Sequence, residues 1–192
     1  MDEGMASKTY DEWLAKVQVD GSMLLYVPEE LKTLQLCFEA VRQDGSGSAF
    51  MYVPDKHKTP ELCFLAVRQS GFALKLVPEK YKTAELCLEA IRQGCGRALE
   101  FASEQFKTPE LCLLAVKQDG TALEFVPEEL QTEELCLQAV RENIKALKWV
   151  YNITPTIYGE VESRYDGSWF FLPTGYKQFY IKRFLEGIEH GA

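Results

Sequence analysis

Histidine chemistry in this chain would have to start from His57 and His190, the two histidines among 192 residues. A catalytic triad or a histidine-rich metal centre needs imidazole groups held beside further catalytic or ligating groups. His57 stands at a position that is apolar or aromatic in the other copies of a repeat described below, so we predict that it packs. The sequence also contains no glycine-rich phosphate loop, Cys-x-x-Cys pair or His-Glu-x-x-His pattern. We therefore predict no catalytic residue, metal site or cofactor site. The equivalents of His57 are Leu31, Tyr81, Phe106 and Leu130.

The six cysteines divide into a regular series of five and one exception. The five recur at intervals of 26, 24, 25 and 24 residues among apolar residues, a regularity typical of small buried thiols rather than of disulfides. Reduced thiols favour the cytoplasm. Cys95 lies outside the series in a glycine-rich loop, and we predict that its thiol is accessible. The series is Cys37, Cys63, Cys87, Cys112 and Cys136.

A cluster of charged residues near the C-terminus is the alternative location for catalysis. Glu160, Glu162 and Asp166 could supply general acid and base groups beside Arg164. A pocket that gathers these carboxylates would support an enzyme, and carboxylates that point separately into solvent would argue against one.

Aromatic residues are concentrated in the same region, since residues 151–192 hold ten of the 23 in the chain. Trp169, Phe170, Phe171 and Tyr176 could form a partner-binding patch, because tryptophan and tyrosine are enriched in interface hot spots. The alternative is that they cover the end of a repeat array.

Five copies of a repeat about 24 residues long organise the chain between these groups. In residues 59–71, Thr59 can cap a helix, Pro60 suits the first helical position and Glu61 favours the positive helix end. Leucine, cysteine, alanine and valine then form one apolar stripe, and Gly71 can end the helix. We call this element the B helix. Its copies begin at Thr33, Thr59, Thr83, Thr108 and Thr132.

A shorter apolar stretch, the A segment, lies between successive B helices, as in residues 23–28, 73–78 and 122–127. Its proline prevents a regular helix from continuing, so we predict a helix of about two turns, followed by a turn or 3-10 piece at residues 128–130. A strand is the competing interpretation. In the fourth copy Ala102-Ser103 replaces Val-Pro, which predicts a longer A segment there, and in the second copy two extra residues widen the loop at residues 45–48.

These elements predict a mainly α fold, a right-handed α-solenoid of short helical hairpins. Residues 1–21 form an N-terminal capping helix in which Trp13 replaces the cysteine, and residues 22–150 hold five repeats and a final half repeat. Residues 151–192 form a C-terminal cap. Within it, residues 158–165 and 169–172 could form a β-hairpin, and residues 176–188 a closing helix.

The repeat, seen best in residues 126–140 as Val-Pro-Glu-Glu-Leu-x-Thr-x-Glu-Leu-Cys-Leu-x-Ala-Val, resembles a bacterial domain-of-unknown-function family of short tandem repeats. The resemblance covers about residues 22–150. It implies a repeat fold, and it carries no activity or catalytic motif that could be transferred to this chain.

The charge of the chain constrains its partners. A net charge of -8 and an isoelectric point near 4.9 disfavour nucleic acid and anionic membranes, and favour a protein with a basic surface. No apolar run reaches the length of a membrane span. Lys58 and Lys82 belong to a column of lysines that could end helices or form a docking stripe, although acidic residues interrupt it.

Because solenoids generally hold other macromolecules, we predict a non-enzymatic protein-binding scaffold. One specific form is an acidic inhibitor or immunity-type protein that covers a basic partner. The alternatives are a structural subunit of a larger assembly and an enzyme with its site near the C-terminus. The sequence predicts no particular oligomeric state.

Overall fold

Seven α-helices follow the B pattern in the computed structural model, which describes residues 8–165. The chain divides into two compact units at residues 107 and 108. The helices are α1 (Tyr10–Val19), α2 (Leu34–Gln43), α3 (Pro60–Gln69), α4 (Ala84–Arg92), α5 (Pro109–Gln118), α6 (Glu133–Glu142) and α7 (Pro155–Tyr165).

Threonine begins each B helix in the way that the sequence predicts. In α2 to α6 the threonine Oγ1 accepts a hydrogen bond from the backbone N–H three residues later, at 3.2–3.3 Å. This bond satisfies an amide that has no partner within the helix. At α1, Thr9 does the same, and its own N–H donates to Glu12 Oε2 at 2.7 Å, which completes a capping box.

The glycine after a B helix does not end it, so that part of the prediction is wrong. Helix α3 ends at Gln69, Ser70 follows in an extended conformation, and Gly71 opens the next A segment. A β-carbon on Gly71 would lie 2.3 Å from the backbone oxygen of Ala90 and 2.7 Å from Cys95 Cβ. Glycine is needed here because two stretches of backbone approach each other closely.

The A segments are 3-10 helices with three residues per turn. Their first, fourth and seventh positions therefore share a face, and in the third repeat these positions hold the buried Gly71, Leu74 and Val77. The strand interpretation is wrong. The segments are Gly21–Tyr26, Ala49–Tyr52, Gly71–Leu76, Gly96–Phe101, Gly120–Phe125 and Ile144–Trp149.

A second, one-turn 3-10 helix precedes the threonine cap of each of α2 to α6, and the one at Glu128–Leu130 confirms the predicted turn. In the fourth repeat the A segment ends at Phe101 although the proline is missing, so the predicted lengthening is wrong. The remaining one-turn helices are Glu29–Leu31, Asp55–His57, Glu79–Tyr81 and Glu104–Phe106.

Extra residues in two repeats are absorbed by glycines with positive φ. Gly47 (φ 77°) lies in the widened loop of the second copy, and Gly94 (φ 80°) lies in the loop that follows α4. Residues that carry a side chain rarely adopt a positive φ, whereas glycine does so without strain. The insertions thereby leave the register of the next A segment unchanged.

The core of each unit lies between B helices and A segments. In residues 8–107, the segment Gly71–Leu76 packs between α3 and α4, and successive A segments contact one another. In residues 108–165, the segment Gly120–Phe125 packs in the same way on α5 and α6. All described elements are helical, which confirms the prediction of a mainly α repeat protein.

The strand predicted at residues 158–165 is wrong, because α7 occupies this stretch. Thr154 caps the helix through a 3.3 Å hydrogen bond from the Ile157 N–H, and Pro155 takes the first helical position. Thr154-Pro155 repeats the signal of Thr59-Pro60 and Thr108-Pro109, so local sequence could have revealed this helix. The other predicted parts of the cap, residues 169–172 and 176–188, lie outside the described residues.

Candidate protein-binding surface

Apolar side chains line the outer face of the A segments in residues 8–107. The positions that the 3-10 geometry turns away from the core hold side chains that are 45–59% exposed. A segments of consecutive repeats contact each other. Leu25 and Met51 share a position of the repeat, and Phe72 lies one 3-10 turn earlier in the next segment. We call this set the apolar strip. It comprises Leu25, Tyr26, Met51 and Phe72.

The sequence analysis did not identify the strip, because an A segment of two short turns does not by itself show which of its apolar residues face solvent. The signal that could have found it is the mixture of residue types in one column. Leu25 and Met51 share their position with Lys75 and Glu100, and a position that accepts both charge and methionine faces solvent. Buried columns, such as Leu24, Phe50, Leu74 and Leu99, stay apolar throughout.

The candidate docking stripe of Lys58 and Lys82 is not an exposed basic surface, which corrects the sequence interpretation. Lys58 Nζ lies 2.8 Å from Asp55 Oδ1, and Lys82 Nζ lies 3.0 Å from Glu79 Oε2. Across the four pairs of this kind, the lysine side chains are only 7–13% exposed, whereas their carboxylate partners are 64–88% exposed. The column therefore presents carboxylates outwards, with the amines beneath. The other two pairs are Lys32–Glu29 and Lys107–Glu104.

The lysine stems stay inside because they cover apolar groups. Lys58 Nζ lies 5.6 Å from the centre of the buried Phe50 ring in the preceding A segment, within the range of a cation–π contact. On its other side, the ammonium group pairs with the exposed carboxylate of Asp55.

The last of the one-turn helices carries no lysine. Gln131 takes its place, donating to the Val126 carbonyl at 3.3 Å and accepting from the Tyr151 N–H at 3.2 Å. Glu128 and Glu129 are both exposed in this turn. Residues 128–131 therefore have two carboxylates and no compensating cation within the turn.

The cysteine series is buried, as predicted. Desolvation raises the pKa of Cys37, Cys63 and Cys136 to about 11, against a smaller opposing effect of Lys32 on Cys37 and of Lys58 on Cys63. Thiols of this kind stay protonated and unreactive at neutral pH. Their regular spacing reflects packing.

Cys95 is buried too, so the predicted accessible thiol is wrong. It is 7% exposed and stands at the N-cap of its A segment, where other repeats have Ser70, Asp119 or Asn143. Its Cβ packs against Gly71, whose missing side chain makes room for it. The glycine-rich loop suggested a mobile and accessible thiol. Instead, the loop places Cys95 against Gly71 at the interface between two repeats.

Thiol labelling tests this placement of the cysteines. We expect Ellman's reagent to modify native protein at pH 8 more slowly than urea-unfolded protein, by a factor of about ten or more, because burial limits both access and thiolate formation. The rate is followed by absorbance, with a Cys95→Ser variant as the control. A single thiol that reacts at the unfolded rate and is lost in this variant would show that Cys95 is accessible after all.

His57 is half-buried, like its equivalents in the other repeats, in agreement with a packing role. Glu160, one of the carboxylates in the alternative enzyme site, pairs with Arg141 at 2.7 Å and is 14% exposed, so it ties α7 to α6. The side chains of Glu162 and Arg164 and the whole of Asp166 lie outside the described part of the chain.

The aromatic patch predicted near the C-terminus also lies beyond residue 165, as does His190. This patch consists of Trp169, Phe170, Phe171 and Tyr176. Among residues 8–165, no group of three or more histidine, cysteine or acidic side chains has a geometry suited to a metal ion. None of the described helices combines the length and apolarity needed to cross a membrane.

The elements and surfaces described above define a helical tandem-repeat protein. The chain belongs to the family described as Domain of unknown function (DUF4116), whose model matches residues 34–82, 59–107 and 108–153. This confirms the resemblance noted from the repeat pattern. The chain matches no curated protein and no solved structure.

Proposed function

We propose that this protein is a non-enzymatic protein-binding scaffold, a right-handed α-solenoid that holds its partner on the outer face of the A segments. The apolar strip carries this proposal. Leu25, Met51 and Phe72 are about half exposed on the A segments of three consecutive repeats, and exposed apolar side chains on neighbouring elements are typical of interaction sites. Repetition supplies the extended surface on which solenoids bind.

Charge supports a partner with a basic surface. The chain carries a net charge of -8, and the lysine–carboxylate pairs turn their carboxylates towards solvent. Each exposed carboxylate follows the last residue of an A segment by three residues, as Asp55 follows the half-buried Tyr52 and Glu79 follows the half-buried Leu76. Lys56 and Lys80 reduce the negative charge in two turns, whereas Glu29 and Glu30 concentrate it in the first.

A partner with apolar anchors flanked by lysine or arginine fits both features. An acidic inhibitor or immunity-type protein that covers a basic protein would have this surface. The buried thiols support action in a reducing compartment such as the cytoplasm.

Affinity capture from the source-cell lysate tests the proposal. We expect one stoichiometric protein with a basic surface to be retained by the wild type and lost with Met51→Ser/Phe72→Ser, because exposed anchors contribute most of the binding free energy. Retention is measured by quantitative mass spectrometry. Glu29→Lys/Glu30→Lys, in the same unit as the strip, should weaken the same interaction, and salt should weaken it further.

Val19→Ser is the control, since it removes an apolar side chain off the strip that is even more exposed (88%) than Met51 and Phe72 (both 59%). If Met51→Ser/Phe72→Ser retains the partner as well as Val19→Ser does, the binding surface lies elsewhere. Clean captures that contain no partner would argue against a scaffold.

A further inference from the structure

Arginine recurs near the C-terminal end of three consecutive B helices in residues 8–107, at the ninth position of α2, α3 and α4, and its side chain is exposed in each. The helix ends meet from repeat to repeat. Gln69 Nε2 donates to the Arg42 carbonyl at 3.4 Å, and Arg68 Nε lies 3.9 Å from Glu89 Oε1 on α4. We call this set the arginine column. It comprises Arg42, Arg68 and Arg92.

The arginine column has the reverse arrangement of the lysine–carboxylate pairs. Arg42 Nη2 lies 2.5 Å from Glu39 Oε1, and this arginine side chain is 62% exposed whereas the glutamate is 18% exposed. In the pair of Arg68 and Glu89 the values are 64% and 18%. The carboxylate lies beneath and the guanidinium faces solvent. The first three repeats therefore present carboxylates next to their A segments and a guanidinium at the end of each B helix.

Support of the helix end does not account for this arrangement, because any cation near the last carbonyls interacts favourably with the helix dipole. The glutamates are fixed beneath their arginines by a second bond. Glu39 accepts one from Gln43 Nε2 at 3.0 Å. Glu89 accepts one from Gln93 Nε2 at 2.7 Å. Each ion pair uses one nitrogen of a guanidinium, so N–H donors of its planar fork remain for a second carboxylate.

The spacing of the arginine column selects the partner. Consecutive B helices contact each other, and packed helices have axes roughly 8–10 Å apart. Three residues of an extended chain span about 10 Å. Acidic residues at every third position of an extended peptide therefore meet successive arginines.

The other end of the same helices limits the width of a partner. Glu61 and Glu85 are exposed in the first turns of α3 and α4, seven residues before Arg68 and Arg92. Seven residues make two turns, so these carboxylates share a face with the arginines about 10 Å away. They would repel a broad acidic surface, whereas a single extended strand can lie along the arginines alone.

We infer that the arginine column binds an extended peptide segment with a carboxylate at every third residue. Aspartate or glutamate at this spacing pairs with one guanidinium per repeat. The inference goes beyond the proposed function, because it assigns a second surface, on another element of the repeat, to a partner of opposite charge. A scaffold with both surfaces holds a basic protein on its A segments and an acidic segment on its B helices.

Fluorescence anisotropy with a dye-labelled peptide tests the inference on the full chain. The peptide carries glutamate at every third position among serine and proline, and an isomer of the same composition carries its glutamates side by side. We expect the spaced peptide to bind about fivefold tighter than the isomer, because each exposed ion pair adds a small amount of free energy and only the spaced peptide forms all of them. Added salt should weaken binding.

Arg68→Gln/Arg92→Gln should reduce the affinity for the spaced peptide to that for the isomer. Lys56→Gln/Lys80→Gln removes the same charge from exposed positions off the column and should bind as the wild type does. Arg68→Lys/Arg92→Lys keeps the charge at the helix ends and serves if the glutamine variant does not fold. Its affinity should be intermediate, because lysine lacks the planar fork.

Met51→Ser/Phe72→Ser should bind the spaced peptide as the wild type does, which separates this inference from the proposed function. Equal affinities for the two peptides would overturn the inference, and so would equal losses in the arginine variants and the lysine control. Tighter binding of a single-stranded oligonucleotide than of the spaced peptide would assign the column to phosphate groups and would overturn it as well.

Discussion

Gly71→Ala is expected to lower the free energy of unfolding by about 3 kcal/mol, the upper end of the range for overpacking a close contact. The new methyl group would lie 2.3 Å from the Ala90 carbonyl oxygen, which is backbone within the next B helix and cannot rotate away. The A segment and α4 would have to separate. Chemical denaturation in urea measures the loss, and the slope of the transition should stay unchanged.

Gly45→Ala is the control for this prediction. A β-carbon at Gly45 meets no atom within 4 Å, and its φ is not positive. This variant should be neutral or slightly more stable, because alanine reduces the entropy of the unfolded chain. Equal denaturation midpoints for the two variants would mean that the contact at Gly71 is looser than described.

Asp44→Asn is expected to cost about 2–3 kcal/mol, since it removes acceptors from a buried carboxylate. One carboxylate oxygen accepts the Ser46 N–H at 3.0 Å and the Ser46 hydroxyl at 2.6 Å. The other accepts the Ser48 hydroxyl at 3.0 Å and the Ala49 N–H. An asparagine amide would place its NH2 against donors, and the widened loop of the second repeat would lose its organising group.

The pH dependence of Asp44 follows from its hydrogen bonds. Burial alone would raise the pKa of Asp44, but the bonds from Ser46, Ala49 and Ser48 outweigh burial and hold the pKa below its usual range. The stabilisation is therefore complete above the unfolded-state pKa near ~4, and is lost as the pH falls through the lower folded-state pKa. The gap in unfolding free energy between wild type and Asp44→Asn should narrow below about pH 4.

Asp20→Asn provides the comparison, because Asp20 Oδ1 accepts the same pair of bonds from Ser22 at 2.9 and 2.7 Å in an exposed site. Asp20→Asn should lower the free energy of unfolding by less than about 1 kcal/mol, since water can replace the hydrogen bonds that the substitution removes. The role given to the buried carboxylate would be contradicted if Asp44→Asn lowered the free energy of unfolding no more than Asp20→Asn does. A loss at Asp44 that stayed constant with pH would contradict it as well.

Sequence predicts the B helices well because their signals are local. Thr59 and Pro60 act on the first turn of their own helix, and the apolar stripe selects its buried face. The choice of 3-10 rather than α geometry for the A segments is different. The 3-10 geometry depends on packing between two B helices, and the six residues of an A segment carry no information about those helices.

Residues whose role is set by a neighbouring repeat are harder to predict. Gly71 looks like a helix terminator until Ala90 and Cys95 of the next repeat are placed against it. Lys58 looks like a surface charge until it is placed over the ring of Phe50. The same reasoning explains the apolar strip, since exposure of Met51 follows from the three-residue period of its segment.

Photo-crosslinking in native lysate tests the central claim most directly. A benzoylphenylalanine at position 72, within the apolar strip, is compared with one at position 35, an exposed site on α2 away from the strip. The account predicts one crosslinked protein with a basic surface from position 72 and none from position 35. No adduct from position 72, or the same adducts from both positions, would contradict a scaffold that binds through its A segments.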